Sequence, residues 1–170
     1  LSVHEHKQKK QSVNCVVITI SDSRTNETDK SGNLMVSLLE NAGHRVERKE
    51  IIPDESSAIK NMLDSCCENP DVDVVLTNGG TGIAYRDVTI ETIQSMLDKE
   101  LTGFGEIFRM LSYQEDIGSA AILSRAIAGV SNHTVIFATP GSSGAVKLAM
   151  NKLILPEVAH VVTEVKKDLK

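Results

Sequence analysis

Two stretches of this chain are apolar with little alternation. Cys15-Val16-Val17-Ile18-Thr19-Ile20 is β-branched at almost every position, and Val72 to Thr77 is a second run of the same kind. A strand with one wet face alternates apolar and polar residues, whereas a strand that stays apolar is covered on both faces. Two such runs within one short chain call for a parallel sheet with helices packed against both sides.

The residues between and after these runs fit that plan. Ser31 is placed to cap a helix whose apolar residues Leu34, Met35, Leu38 and Leu39 recur at helical spacing, and Gly43 is its natural stop. Residues 44–52 read as a strand with many polar positions, hence near a sheet edge. Pro53-Asp54 opens a second helix with Ile59, Met62, Leu63, Cys66 and Cys67 on one face, ended by Asn69-Pro70. Helical spacing resumes over 89–97 and 101–113. Two more strands, 124–130 and 134–139, flank Ser131-Asn132-His133 as a hairpin. Pro140 to Gly144 leads into a helix, and Pro156 starts the last one in its first turn. The expected fold is an α/β three-layer sandwich with a mainly parallel central sheet plus a C-terminal antiparallel hairpin. No repeat or linker divides residues 13–170, so they form one domain. Leu1 to Ser12 is polar, lacks the apolar stretch of a signal peptide, and reads as a disordered tail.

Composition narrows the function classes. Apolar residues are 41% of the chain, enough for a core without disulfides or metals, and with aromatics at 3% and no Trp that core rests on aliphatic side chains. The same scarcity of aromatics removes the stacking platform of a single-strand nucleic-acid binder. A net charge of −5 argues against attraction to nucleic acid or an anionic membrane. No apolar run is long enough to span a bilayer. The expected place of work is the cytoplasm. Cys15, Cys66 and Cys67 show neither CxxC nor zinc spacing and read as small buried hydrophobes, and the five His show no HxxxH or HExxH pattern.

Ligands of open α/β sheets bind beyond the carboxyl ends of the strands. Three segments fall there: Ser21-Asp22-Ser23, Asn78-Gly79-Gly80-Thr81-Gly82 and Pro140-Gly141-Ser142-Ser143-Gly144. All are small, polar and able to expose backbone N–H groups, and each precedes a helix N-terminus, which favours anions. Neither GxGxxG nor GxxxxGK[ST] is present, so a Rossmann cofactor or Walker nucleotide site is not expected. Arg86-Asp87 follows the glycine loop. Asp87 either caps the next helix or holds Mg²⁺ against bound phosphates, and Asp54 carries the same ambiguity. Arg109, Arg125 and Lys147 offer positive charge, although a solvated or ion-paired surface role is the commoner use of each.

The string Thr77-Asn78-Gly79-Gly80-Thr81-Gly82-Ile83-Ala84-Tyr85-Arg86-Asp87-Val88-Thr89 resembles the molybdopterin-binding family of molybdenum cofactor biosynthesis. Thr19 to Ser23, Gly103-Phe104-Gly105-Glu106, Leu123 to Ala126 and Pro140 to Ala145 support the resemblance, which covers nearly all of the chain beyond the tail. It implies an α/β domain that assembles as a homotrimer or a hexamer, and a molybdopterin site at the three loops. It implies two substrates, molybdopterin and ATP, with Mg²⁺ as cofactor and AMP transferred to the terminal phosphate of the pterin. Asp87 would hold the metal and, with Asp54, serve turnover. Ser21, Asp22, Asn78, Gly79, Gly80, Thr81, Gly82, Gly141, Ser142, Ser143 and Gly144 would bind the ligand. Other enzymes of the same biosynthesis would be partners. One departure matters: catalytic members carry a second proline where this chain has Ser143-Gly144. That motivates a second reading, a non-catalytic protein that binds molybdopterin and hands it over.

Overall fold

The computed structural model describes residues 11–169. Six strands form one sheet: β1 (Asn14–Ile20), β2 (Arg45–Ile52), β3 (Val74–Asn78), β4 (Lys99–Glu100), β5 (Ile127–Ser131) and β6 (Thr134–Thr139), in the order β2-β1-β3-β6-β5-β4. The first four strands of that order pair in parallel, and β5 and β4 join antiparallel. The helices are α1 (Lys30–Asn41), α2 (Ser56–Glu68), α3 (Thr89–Met96), α4 (Thr102–Glu115), α5 (Ser143–Ala149) and α6 (Leu155–Lys166). A 3₁₀ segment, Gly118–Leu123, follows α4, and a π turn, Met150–Ile154, joins α5 to α6. The chain is therefore the expected mixed, mainly parallel α/β sandwich. Of the expected tail, residues 1–10 lie outside the described residues.

The unalternating strands are covered twice, as their composition requires. Val16, Ile18, Val75 and Ile136 pack beneath α2 and α3 with Ile59, Leu63, Cys66 and Ile93. Cys15, Val17, Val74, Leu76, Val135 and Phe137 face the other way, onto α1, α4, α5 and α6 through Met35, Leu39, Phe108, Val146 and Val158. The few aromatics concentrate there, with Phe104 edge-on to Phe137 at 5.2 Å between centroids. The polar strand β2 lies at an edge, half exposed along most of its length. All three cysteines are buried and free. Burial pushes the Cys15 thiol up to about 12 and that of Cys67 to about 11, so neither is a nucleophile at neutral pH.

Several boundaries differ from the sequence reading. Asp29, not Ser31, caps α1, its carboxylate accepting the Gly32 N–H at 3.0 Å. Ser31 lies inside the helix and donates to the Gly141 carbonyl at 2.6 Å, a tertiary bond that local spacing does not reveal. β5 starts at Ile127, because residues 124–126, which follow the 3₁₀ segment, form no regular structure. The hairpin turns on Asn132 and Asn132's neighbour His133, at φ 45° and 64°, the left-handed pair of a two-residue turn. The short β4 had no periodic signal.

Candidate functional site

The carboxyl ends of the three central parallel strands open onto one cleft. β1 ends at Ile20 and runs into Ser21 to Arg24, β3 ends at Asn78 and runs into the glycine loop, and β6 ends at Thr139 before Pro140-Gly141-Ser142. The loops meet closely. A Cβ on Gly141 would stand 3.2 Å from the Cα of Gly79, and one on Gly79 would press into the Ile20 carbonyl. Gly79 and Gly80 take φ of 100° and 67°, conformations that glycine supplies without strain. The result is a cleft of about 590 Å³, within the range of small-molecule sites.

Most of the expected binding residues line it: Ser21, Asn78, Gly79, Gly80, Thr81, Gly82, Gly141 and Ser142, together with Asp87. Their side chains are largely committed to shaping the loops. The Ser21 hydroxyl accepts the Ser23 and Arg24 N–H groups at 3.2 and 3.1 Å, and Ser142 caps α5 by accepting the Ala145 N–H at 3.2 Å. Asn78 donates to the Thr19 hydroxyl at 3.1 Å, Thr19 donates to Asp29 at 2.6 Å, and Lys49 closes on the same Asp29 oxygen at 2.7 Å. This buried polar chain lies directly behind the glycine loop. What the loop presents to the cleft is main chain. Among the described residues, the N–H groups of Gly80, Thr81 and Gly82 have no protein acceptor, which is the condition of an anion cradle.

Asp22, Asp54, Ser143 and Gly144 are not in the cleft lining. Ser143 and Gly144 belong to the first turn of α5. Asp22 and Asp54 sit next to the glycine loop but outside this lining, where the Asp54 N–H donates to Asp22 at 3.0 Å and Arg86 reaches the other Asp22 oxygen at 2.7 Å. The Asp54 N–H and then Arg86 hold the Asp22 carboxyl below its ordinary range. Asp54 is the opposite case. Burial pushes its carboxyl up, the nearby Asp87 and Asp22 carboxylates add to this, and the Val88 N–H and Arg86 only partly offset it.

Neither aspartate caps a helix. Residue 55 precedes α2 and Val88 precedes α3, neither with a side-chain cap, while Asp87 accepts the Ala84 N–H at 2.9 Å across its own turn. Asp54 Oδ1 is buried without a hydrogen-bond partner, and it abuts Gly80. A buried carboxylate oxygen with nothing to accept, near a second carboxylate, suits a hard cation. Among the described residues no group of three or more His, Cys, Asp or Glu could hold a metal ion alone. The donor set thus fits a Mg²⁺ that keeps waters and substrate phosphates in its shell, the usual state of that ion in phosphoryl-transfer sites.

Three residues of the site carried no local signal. Arg24 lines the cleft and approaches the Gly141 carbonyl at 3.5 Å. Ile117, just before the 3₁₀ segment, and Leu123, its last residue, form an apolar wall. Arg109 and Lys147 stay outside the cleft, and Arg125 is engaged with the back of the glycine loop. Among the described residues no helix is long and apolar enough to cross a membrane.

Known proteins share this arrangement over most of its length. The molybdenum cofactor biosynthesis protein B of Bacillus subtilis (strain 168) is 64% identical over 169 residues, covering 99% of each chain. A crystal structure of a molybdenum cofactor biosynthesis protein B superposes with a TM-score of 0.92 at 56% identity, over 95% of this chain and 100% of the other. The tungsten cofactor synthesizing protein MoaB of Pyrococcus furiosus superposes with a TM-score of 0.76 at 37% identity, over 91% and 98% of the two chains. Residues 16–160 match the family described as the probable molybdopterin binding domain. With all three loops inside that match, the chain belongs to the molybdopterin-binding family of molybdenum cofactor biosynthesis.

Proposed function

We propose that the chain binds molybdopterin in the three-loop cleft and transfers AMP from Mg-ATP to its terminal phosphate. The observation that carries this reading is the shared wall of Gly80, Thr81, Gly82 and Asp87: unpartnered N–H groups able to take a phosphate, with a carboxylate beside them. A phosphate nucleophile is already ionised at neutral pH and needs little help from a base. Its oxygen attacks the α-phosphorus of ATP, the bond to the bridging oxygen breaks, and pyrophosphate leaves. The acceleration comes from positioning and charge neutralisation. The N–H groups of the glycine loop hold the pterin phosphate. Asp87 and the unpartnered Oδ1 of Asp54 would hold Mg²⁺, which when bound neutralises phosphate charge.

The test is pyrophosphate release with molybdopterin and Mg-ATP. Asp87→Asn should lower turnover by about 10²-fold or more while leaving pterin affinity nearly unchanged. Equal turnover in the two proteins removes Asp87 from the mechanism. No release by the wild type with pterin bound supports the rival reading, a handover protein, which the Ser143-Gly144 departure motivates. Such a protein would deliver its ligand to other enzymes of the same biosynthesis.

Self-association accompanies this reading. Met110 and Tyr113 on α4, with Ile122 and Leu123 on the 3₁₀ segment, are 49%, 61%, 83% and 51% exposed. An apolar surface of this kind marks a protein contact, and a homotrimer or hexamer of the chain is the assembly proposed for it. The cytoplasm is the proposed compartment.

A further inference from the structure

The shape of the anion cradle is held from behind by a residue outside it. Arg125 lies two positions before β5 and does not line the cleft. Its Nε donates to the Thr81 carbonyl at 3.0 Å, and one Nη donates to the Gly82 carbonyl at 2.6 Å and reaches the Asp87 carbonyl at 3.5 Å. The other Nη pairs with Glu91 on α3, so the guanidinium is tied at both ends. The Gly80 carbonyl is taken by the Thr89 N–H at 3.1 Å.

These bonds fix where the loop's donors point. A trans peptide is planar, so its C=O and the N–H of the next residue point in opposite directions. Holding the Gly80, Thr81 and Gly82 carbonyls away from the cleft therefore turns the N–H groups of Thr81 and Gly82, and that of Ile83 after them, the other way. We propose that Arg125 is the positioning residue of the cradle: its guanidinium orients the loop amides toward the cleft, and Glu91 keeps the guanidinium in place. The planar fork is what the task needs. Lysine has one nitrogen and cannot hold two successive carbonyls and Glu91 in one fixed geometry. The identity of the anion rests on the molybdopterin reading, but the orientation of the amides does not.

Amide hydrogen exchange by mass spectrometry tests the clamp without any ligand. In full-length Arg125→Lys, peptides spanning residues 83–90, which carry the hydrogen-bonded amides of Ala84, Asp87 and Thr89, should exchange roughly tenfold faster or more, while β1, β3 and β6 keep wild-type protection. In Arg125→Ala, guanidinium at low millimolar concentration should restore protection to the same peptides and to no others. Unchanged exchange of the loop in a folded Arg125→Lys protein overturns the proposal. So does a rise spread evenly over the chain, which would make Arg125 an ordinary stabilising residue. Turnover or its absence bears on the function proposed above and leaves this outcome readable.

Discussion

Lys49 and Asp29 form a buried ion pair behind the glycine loop, and its strength can be measured by breaking it from each side. Asp29 is fully buried and Lys49 Nζ lies 2.7 Å from its Oδ2, with the Lys49 side chain 14% exposed. At an effective dielectric constant of about 20 the attraction is about 6 kcal/mol. Removing both charges from water costs several kcal/mol per ion, so the pair as a whole contributes little net stability. Breaking it is different. Lys49→Met leaves Asp29 charged and buried, with the Thr19 hydroxyl, the Gly32 N–H and Arg24 at 4.0 Å as its remaining partners. Loss of one partner of a buried pair typically costs about 3–5 kcal/mol, and these remaining partners place this case near 3. Asp29→Asn retains an oxygen for the Gly32 N–H, and in the double variant no buried charge remains. The double variant should therefore lie within about 1 kcal/mol of wild type. Urea unfolding at pH 7 and one fixed protein concentration measures all four proteins. Single-variant losses that add in the double variant to within about 0.5 kcal/mol would refute the pairing. The sign with pH is also fixed. Burial pushes the Asp29 carboxyl up, but Lys49, Thr19 and the Gly32 N–H outweigh it and hold the carboxyl below its ordinary value. That stabilisation is present above the unfolded value near 4 and is lost as pH falls through the folded one. The Lys49→Met deficit should therefore narrow as pH is lowered from 7 toward about 4, because protonation removes the uncompensated charge.

Two glycines of the site should respond in opposite ways. Gly79→Ala forces a Cβ into the Ile20 carbonyl at a φ of 100°, and thermal unfolding should show a loss above about 3 kcal/mol. Gly144→Ala meets only Asp116, at 3.5 Å and with no left-handed φ, so it should be neutral or stabilise α5 by up to about 1 kcal/mol. Ile122→Lys places a charge on the most exposed residue of the apolar face and should lower the mass seen by light scattering, with the far-ultraviolet spectrum unchanged.

The sheet was legible because its central strands are buried on both faces, and that leaves a compositional mark residue by residue. The cleft was legible because loops at strand ends need small residues, and glycines at φ of 100° and 67° have few substitutes. What stayed hidden depends on partners distant in sequence. Ser31 has the chemistry of a cap, yet Asp29 two residues earlier takes that role and Ser31 bonds a carbonyl 110 positions away. Asp54 and Asp87 each suit a cap, and only the observed geometry leaves both without one. Arg125 looked like a surface cation because its acceptors are main-chain carbonyls, which carry no residue identity for a sequence to show. Arg24 enters the cleft for a similar reason, through the Gly141 carbonyl.

The same distinction bears on the one departure from the catalytic pattern. If Ser143-Gly144 reshaped the third loop, the change would have to reach Gly141 and Ser142, the part of it that lines the cleft. Those residues are held mainly by contacts outside positions 143 and 144, with one long contact of 3.5 Å between the Ser31 and Ser143 hydroxyls. Ser31 and Arg24 bond the Gly141 carbonyl, Gly141 packs on the Gly79 backbone, and Ser142 accepts from Ala145. Ser143 and Gly144 are already helical, and Gly144 lacks the φ that would demand glycine. In a helix's first turn a proline's missing N–H costs no intrahelical bond, so proline-bearing and proline-free versions can share one backbone path. The departure is then weak support for a non-catalytic protein, and that reading needs a defect at Asp54, at Asp87 or in the loop that Arg125 holds.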